Sequence, residues 1–339
     1  MKKVSPTLQA QQLSIGYRNK KADKIVRAGL DLEVYQGELL CLMGPNGAGK
    51  STLLRTLAGV QEPLAGQVIM EGQPIHQLAQ QERARRISLV LTEQLSAGNM
   101  NVLELVALGR YPHTGWGGSL SPADKEMVLQ ALNDLDIGEL AGRKLYELSD
   151  GQRQKAMIAR ALAQDGQLMI LDEPTAHLDL INRLQIMRQL RLLALRRQKA
   201  ILVATHELEL ALQSADRLWL LPQEQEGFLA GMPEDLVLNG SLAKAFNRSG
   251  FHFDLSSGRF VEEVEHCVPV YLEGEGPARH WTEKALQRYG YALSHDKSTP
   301  LSIRITAEHE SYHWQLFAPE GEKVADSLEA LVKSLMTER

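Results

Sequence analysis

Cysteine is nearly absent from this chain: its 339 residues include two, Cys41 and Cys267. Two thiols cannot build a disulfide framework, and they lack metal-ligand spacing, so the pattern fits a reducing compartment. Long hydrophobic runs are missing too. No stretch reaches the roughly 18 apolar residues of a spanning helix, so the chain is not expected to cross a membrane by itself. The start, residues 1–13, has no apolar centre of the kind a secretory signal needs. There is no basic excess either: 37 Lys+Arg stand against 42 Asp+Glu, a net charge of −5. That balance argues against a general nucleic-acid binder. Aromatics are only 5% of residues, and neither an internal repeat nor a low-complexity tract is found.

What remains is 44% hydrophobic and 23% charged, a composition that builds a sizeable core rather than a disordered chain. The length suggests one large domain with an extension, or two domains. Charge divides unevenly between them. From Phe251 onward there are 9 Lys+Arg and 15 Asp+Glu, whereas the first 250 residues hold 28 and 27. The shift coincides with the loop-like Asn247–Gly250, which marks the expected boundary between residues 1–250 and 251–339.

The first part alternates short apolar runs with longer periodic stretches. Glu38–Met43, Ile87–Leu91, Gln167–Leu171 and Ala200–Ala204 read as buried strands; Ser51–Ala58, Gln152–Ala163 and Leu180–Arg197 read as helices. Such alternation predicts an α/β fold, a mostly parallel sheet with covering helices. Between Asn99 and Tyr146 the pattern turns to helices and glycine-rich turns, predicting a helical subdomain over about 95–148. The tail reads as a small α+β domain. Its expected elements are a hairpin over Phe251–Val261, strands at Val268–Leu272, Leu301–Ile305 and Tyr312–Phe317, a helix at Arg279–Tyr289 and an amphipathic helix at Val324–Met336.

Gly44-Pro45-Asn46-Gly47-Ala48-Gly49-Lys50-Ser51-Thr52 carries a phosphate-loop pattern between an expected strand and helix. Glycines allow the tight path that aims successive N–H groups at one anion, and the helix start adds partial positive charge. Lys50 is expected to reach terminal phosphates, and Ser51 to hold Mg²⁺. Downstream, four apolar residues lead into Asp172 and Glu173. A carboxylate at the end of a parallel strand falls beside such a loop. Asp172 is the expected Mg²⁺ contact and Glu173 the group that polarises the attacking water. His206 follows another apolar strand, where it can donate to a γ-phosphate oxygen and fix the catalytic carboxylate.

Leu148-Ser149-Asp150-Gly151-Gln152 lies one helix before that acidic strand. With it the chain resembles the ATP-binding cassette ATPases, phosphate-loop NTPases whose signature reads Leu-Ser-Gly-Gly-Gln. Further matches follow the family's order: Tyr17 as the aromatic on adenine, the phosphate loop, the signature, Leu171-Asp172-Glu173-Pro174, Leu178-Asp179 as the D-loop, and His206. They cover about residues 8–240. The resemblance implies ATP and Mg²⁺ as ligands. It also implies that Ser149 and the Gly151 N–H form a second anion site facing the γ-phosphate held by a second copy, in a head-to-tail dimer. Two departures stand out. Asp150 replaces the usual glycine, so its carboxylate is expected to turn outward from phosphate. The family's Mg²⁺-contacting glutamine is read as Gln94, with Glu93 beside it as the alternative.

Met100-Asn101-Val102 through Gly109-Arg110-Tyr111-Pro112-His113 is similar to the importer ATPases for ferric siderophores, haem and cobalamin. That resemblance implies a groove receiving a helix from a separate permease, an indirect link to a substrate-binding protein, and a place on the cytoplasmic face of the membrane. The alternatives are an amino-acid (methionine-type) importer ATPase with a sensing C-terminal domain, or a non-transport soluble cassette ATPase. In the tail, His309 and His313 are four apart, but in a strand that spacing is roughly 13 Å; no metal is expected there. Glu262, Glu263 and Glu265 read as a solvated face.

Overall fold

The computed structural model describes residues 5–91, 99–115, 118–222, 227–246, 250–255, 258–262, 268–308 and 311–337. Glu93, Gln94, Cys267, Glu263, Glu265 and His309 lie outside them. The described residues fall into two compact units, one within Met1–Asn247 and Phe253–Arg259, the other within Arg248–His252 and Phe260–Arg339. Among them, no helix is long and apolar enough to cross a membrane.

The first unit holds two sheets. The six-stranded sheet runs Leu229–Gly231, Arg217–Leu220, Leu39–Met43, Ala200–Ala204, Leu168–Asp172, Ile87–Val90. All pairs are parallel except the outermost, Leu229–Gly231 with Arg217–Leu220. Every residue of Leu39–Met43, Leu168–Asp172 and Ala200–Ala204 is buried. That is why these strands read as continuous apolar runs rather than alternating ones. The second sheet is antiparallel, in the order Lys24–Val34, Leu8–Tyr17, Ala65–Met70, Gln73–Pro74. It is the main element the periodicity did not anticipate. The sheets share one core with the Lys50–Leu57 helix: Leu13, Ile15, Leu32 and Val68 from the antiparallel side, Leu53 and Leu57 from the helix, Leu40, Leu202 and Trp219 from the parallel side. Truncating any one of these leucines to alanine costs about 2–5 kcal/mol in such a setting.

Val102–Ala107 and Pro122–Asp134 pack on Asp150–Ala163. Asn101 and Ser121 cap the first two through reciprocal bonds with Glu104 and Asp124, each such cap being worth about 1 kcal/mol.

The second unit is a five-stranded sheet ordered Tyr291–Ser294, Val268–Glu273, Ser302–Glu308, Ser311–Ala318, Gly321–Ala325. The first three strands are parallel and the last two antiparallel. Helices Gly276–Arg288 and Leu328–Met336 pack on it, burying Leu272, Leu286, Ile303, Leu316, Leu331 and Leu335 in a core of their own. Its buried polar groups are paired: Trp314 Nε1 donates to Thr282 Oγ1 (2.7 Å) and the Tyr291 hydroxyl to the Leu335 carbonyl (3.0 Å). The expected helix over Val324–Met336 needs correction. Val324 and Ala325 close a strand, and Ser327 caps a helix that starts at Leu328. Valine suits the pleated edge, and the serine side chain takes the Ala330 N–H.

Candidate active site

Leu39–Met43 delivers the chain to Gly44, where a Cβ would sit 2.6 Å from the Leu221 carbonyl oxygen. Gly47 and Gly49 follow with φ of 82° and 102°, a region costly for any residue with a Cβ. Gly49 is the N-cap of the Lys50–Leu57 helix, so the unpaired N–H groups of its first turn lie at the loop. The Lys50 amine donates to the Gly44 and Pro45 carbonyls at 2.7 and 3.3 Å. Burial pushes this amine below its ordinary range, and the charges of Glu173 and Asp172 oppose that shift. From the antiparallel sheet, Arg27 Nε donates to the Ala48 carbonyl (3.1 Å) and its Nη2 to the Pro222 carbonyl. Arg27 is buried, which lowers its pKa. Motif spacing gave no sign of it, because it buttresses the loop from a strand with no pattern of its own.

A cavity of about 580 Å³ opens over the loop, lined by Tyr17, residues 24–27 and 45–52, Asp172 and Glu173. Tyr17 is half exposed, and its hydroxyl lies 3.0 Å from Thr52 Oγ1. Leu168–Asp172 lies two strands from the loop strand, with Ala200–Ala204 between them. All three release their chains at the same edge. Asp172 is buried there, while Glu173 takes a φ of 51° and donates its N–H to the Ala204 carbonyl at 2.9 Å. Its Oε2 accepts from His206 Nδ1 at 2.8 Å. Among the described residues, no group of three or more His, Cys, Asp or Glu could hold a metal. Mg²⁺ bound to a nucleotide asks for less, one or two carboxylates or hydroxyls beside phosphate oxygens. Ser51 and Asp172 share the cavity, and their hard oxygens fit that ion; Gln94, the third expected ligand, lies outside the described residues.

Ser149, Gly151 and Asp179 do not line the cavity among the described residues. Ser149 caps Asp150–Ala163, accepting from the Gln152 N–H while Gln152 Oε1 takes the Ser149 N–H. Asp150 is largely exposed and meets Arg153 Nη1 at 3.3 Å. Asp179 caps Leu180–Arg197, taking both the N–H and the side-chain amide of Asn182. The helix starts are neighbours: a Cβ at Gly151 would lie 3.1 Å from the Asn182 side chain.

The Gly109–His113 stretch is tied down internally. A Cβ at Gly109 would lie 2.2 Å from the Arg160 carbonyl oxygen. Arg110 donates to Asp124 Oδ1 and the Ala163 carbonyl, both at 2.8 Å. The hydrogen bonds of Ser121 and Arg110 hold the Asp124 carboxyl down to about 2. The Pro112 carbonyl accepts from Gln81 and Arg85, and the His113 ring bonds the Gln164 carbonyl. Only Tyr111, 74% exposed, offers a large side chain outward, near Leu103 and Leu108 in sequence.

Two family profiles match the chain. One, described as ABC transporter, covers residues 28–176; the other, described as iron ABC transporter C-terminal domain, covers residues 267–336. An uncharacterised ABC transporter ATP-binding protein of Methanocaldococcus jannaschii is 41% identical over 68% of this chain and 78% of its own length. A petrobactin import ATP-binding protein of Bacillus anthracis is 35% identical, over 69% and 84%. The ferric enterobactin transport ATP-binding protein of Escherichia coli is 36% identical, over 68% and 83%. Among solved structures, a transporter described as of metal-chelate type, inward-facing, aligns with a TM-score of 0.61 at 29% identity, covering 71% of this chain and 89% of that one. A dimeric bacterial ABC transporter cassette aligns at 0.57 and 25% identity, over 67% and 98%.

Proposed function

The chain belongs to the ATP-binding cassette transporter family and is an ATPase, and from that premise we propose that it energises an importer of iron–siderophore complexes through a separate permease. The observation that carries the reading is the make-up of the cavity. It gathers Lys50, Asp172 and Glu173 at one sheet edge, while Ser149 and Gly151 are not among its lining residues. Such a half-built site fits completion by a second copy, head to tail.

Within one protomer, backbone N–H groups of the loop's glycines and of the start of the Lys50–Leu57 helix face the β- and γ-phosphates, and Lys50 swings from the loop carbonyls to phosphate oxygens. Its buried amine gains a counter-charge there. Tyr17 carries the adenine. Ser51, Asp172 and Gln94 hold Mg²⁺, which when bound neutralises charge developing on the phosphates. Glu173 orients the attacking water and accepts its proton. His206 holds the Glu173 carboxylate through Nδ1–H, and Nε2 donates to the γ-phosphate when the ring carries both protons between those two anions. The mate supplies Ser149 and the Gly151 N–H, so ATP bonds the two copies and hydrolysis frees them.

The cargo assignment is supported by relatives named for petrobactin, achromobactin and ferric enterobactin. The iron-transporter profile over residues 267–336 weighs against the amino-acid importer alternative. A cassette over residues 1–250 and an extension over 251–339 remain the working division. The protomer sits at the cytoplasmic face of the membrane by way of the permease, with no nucleic acid involved.

Glu173→Gln tests the chemistry. Hydrolysis should fall about 10²-fold or more while ATP still binds. Turnover at the normal rate in that variant would remove Glu173 from the role.

A further inference from the structure

Beside His206 stands a carboxylate that the reaction scheme above does not use. Glu207 is mostly buried, its side chain 14% exposed. Its Oε1 accepts from Thr175 Oγ1 at 2.8 Å, and its Oε2 from Arg183 Nη1 at 2.9 Å. Its own N–H donates to Thr205 Oγ1 at 3.1 Å. Both threonines are fully buried. Thr175 is two residues beyond Glu173, in the turn that leaves the acidic strand. Arg183 is on the Leu180–Arg197 helix, and its Nε donates to the Leu178 carbonyl at 2.6 Å. One guanidinium therefore grips both Glu207 and the backbone just before Asp179.

We propose that Glu207 and Arg183 form a positioning clamp that couples the catalytic carboxylate of one site to the signature surface serving the other. The clamp joins parts that motif order keeps apart. Glu173 bonds His206, and Glu207 is the next residue along. Glu207 holds the Thr175 turn and, through Arg183, the Leu178 carbonyl. Asp179 then fixes Asn182, whose side chain abuts Gly151. A shift of the Glu173 end on losing γ-phosphate is thus carried by hydrogen bonds and a planar fork to the face that grips the mate's nucleotide. Neither clamp residue lines the cavity, so the clamp acts through its neighbours rather than on ATP. The inference rests on the head-to-tail dimer of the proposed function.

Two substitutions in the full chain test it. Glu207→Gln keeps the shape and the acceptor for Thr175, but turns a neutral amide toward Arg183. Arg183→Lys keeps the charge, but a point ammonium cannot hold Glu207 and the Leu178 carbonyl in one fork. ATP binding to the lone protomer should stay within about 2-fold. The ATP concentration needed for dimer formation, measured by light scattering in a Glu173→Gln background, should rise about 10-fold, and the Hill coefficient of hydrolysis in the native background should fall to about 1. Native cooperativity and dimer formation in both variants would overturn the clamp. So would a loss of lone-protomer ATP binding equal to the loss of dimer, because that pattern marks local damage. If Glu207→Gln does not fold, Arg183→Lys decides. A Glu173→Gln protein that stays monomeric with ATP defeats the dimer reading and the clamp together; a dimer indifferent to both substitutions defeats the clamp alone.

Discussion

Two conspicuous stretches of this chain use their polar groups in opposite ways. Residues 45–52 line an open cavity, where a Cβ at Gly47 would meet nothing within 4 Å and the Lys50 amine rests on the loop's own Gly44 and Pro45 carbonyls. Gly109–His113 is as distinctive in sequence, yet its glycine is pressed on the Arg160 carbonyl, its arginine is spent on Asp124 and Ala163, and its histidine on Gln164. The first is a surface for a ligand; the second is a rivet for the helical subdomain, with Tyr111 as its only outward anchor. A motif's residues take their meaning from where their hydrogen bonds end.

The largest effect should come from the loop. Gly49→Ala forces a Cβ to within 2.5 Å of Val26 Cγ1 at a φ of 102°. ATP affinity measured by isothermal titration should drop about 10²-fold, because the N–H cradle must reshape. Arg110→Met strikes the rivet instead. Leaving the Asp124 carboxylate buried beside no cation should cost about 3 kcal/mol, read as a lower denaturation midpoint. ATP affinity of the lone protomer should hold within about 2-fold. If it collapsed as well, the two stretches would not be separate devices.

Acid sharpens the contrast further. The folded-state pKa of Asp124, about 2, lies below its ordinary 3.8. Its contribution is therefore complete above the unfolded value and is lost as pH falls from about 4 toward 2. Asp124→Asn should flatten that part of the stability curve in acid titrations followed by circular dichroism. Tyr111→Ala should change stability least, within about 0.5 kcal/mol. Its cost should appear only with the permease present, as weaker copurification from membranes.

Much of this was legible in the residues. Buried parallel strands announce themselves as apolar runs, so Leu168–Asp172 and Ala200–Ala204 were found nearly to the residue. The antiparallel sheet was not: Leu8–Tyr17 pairs with register shifts on both sides, which scramble the period of two. The end of strand Gly321–Ala325 reads as the start of a helix, since Val324 continues the spacing of Leu328, Leu331 and Leu335 until the Ser327 cap interrupts it. At the site, residues joined by consecutive backbone could be read directly. Arg27, Arg183 and Glu207 could not, because their partners are brought together only by the fold.

The thiol of Cys41 lies in the middle of Leu39–Met43, wholly buried, and burial pushes it up to about 12. It is inert while the strand stays seated, and it turns reactive when the sheet parts. With Cys267 replaced by serine, alkylation at Cys41 becomes a stopwatch for how often the scaffold beneath the triphosphate breathes open, and for how far bound nucleotide slows that breathing.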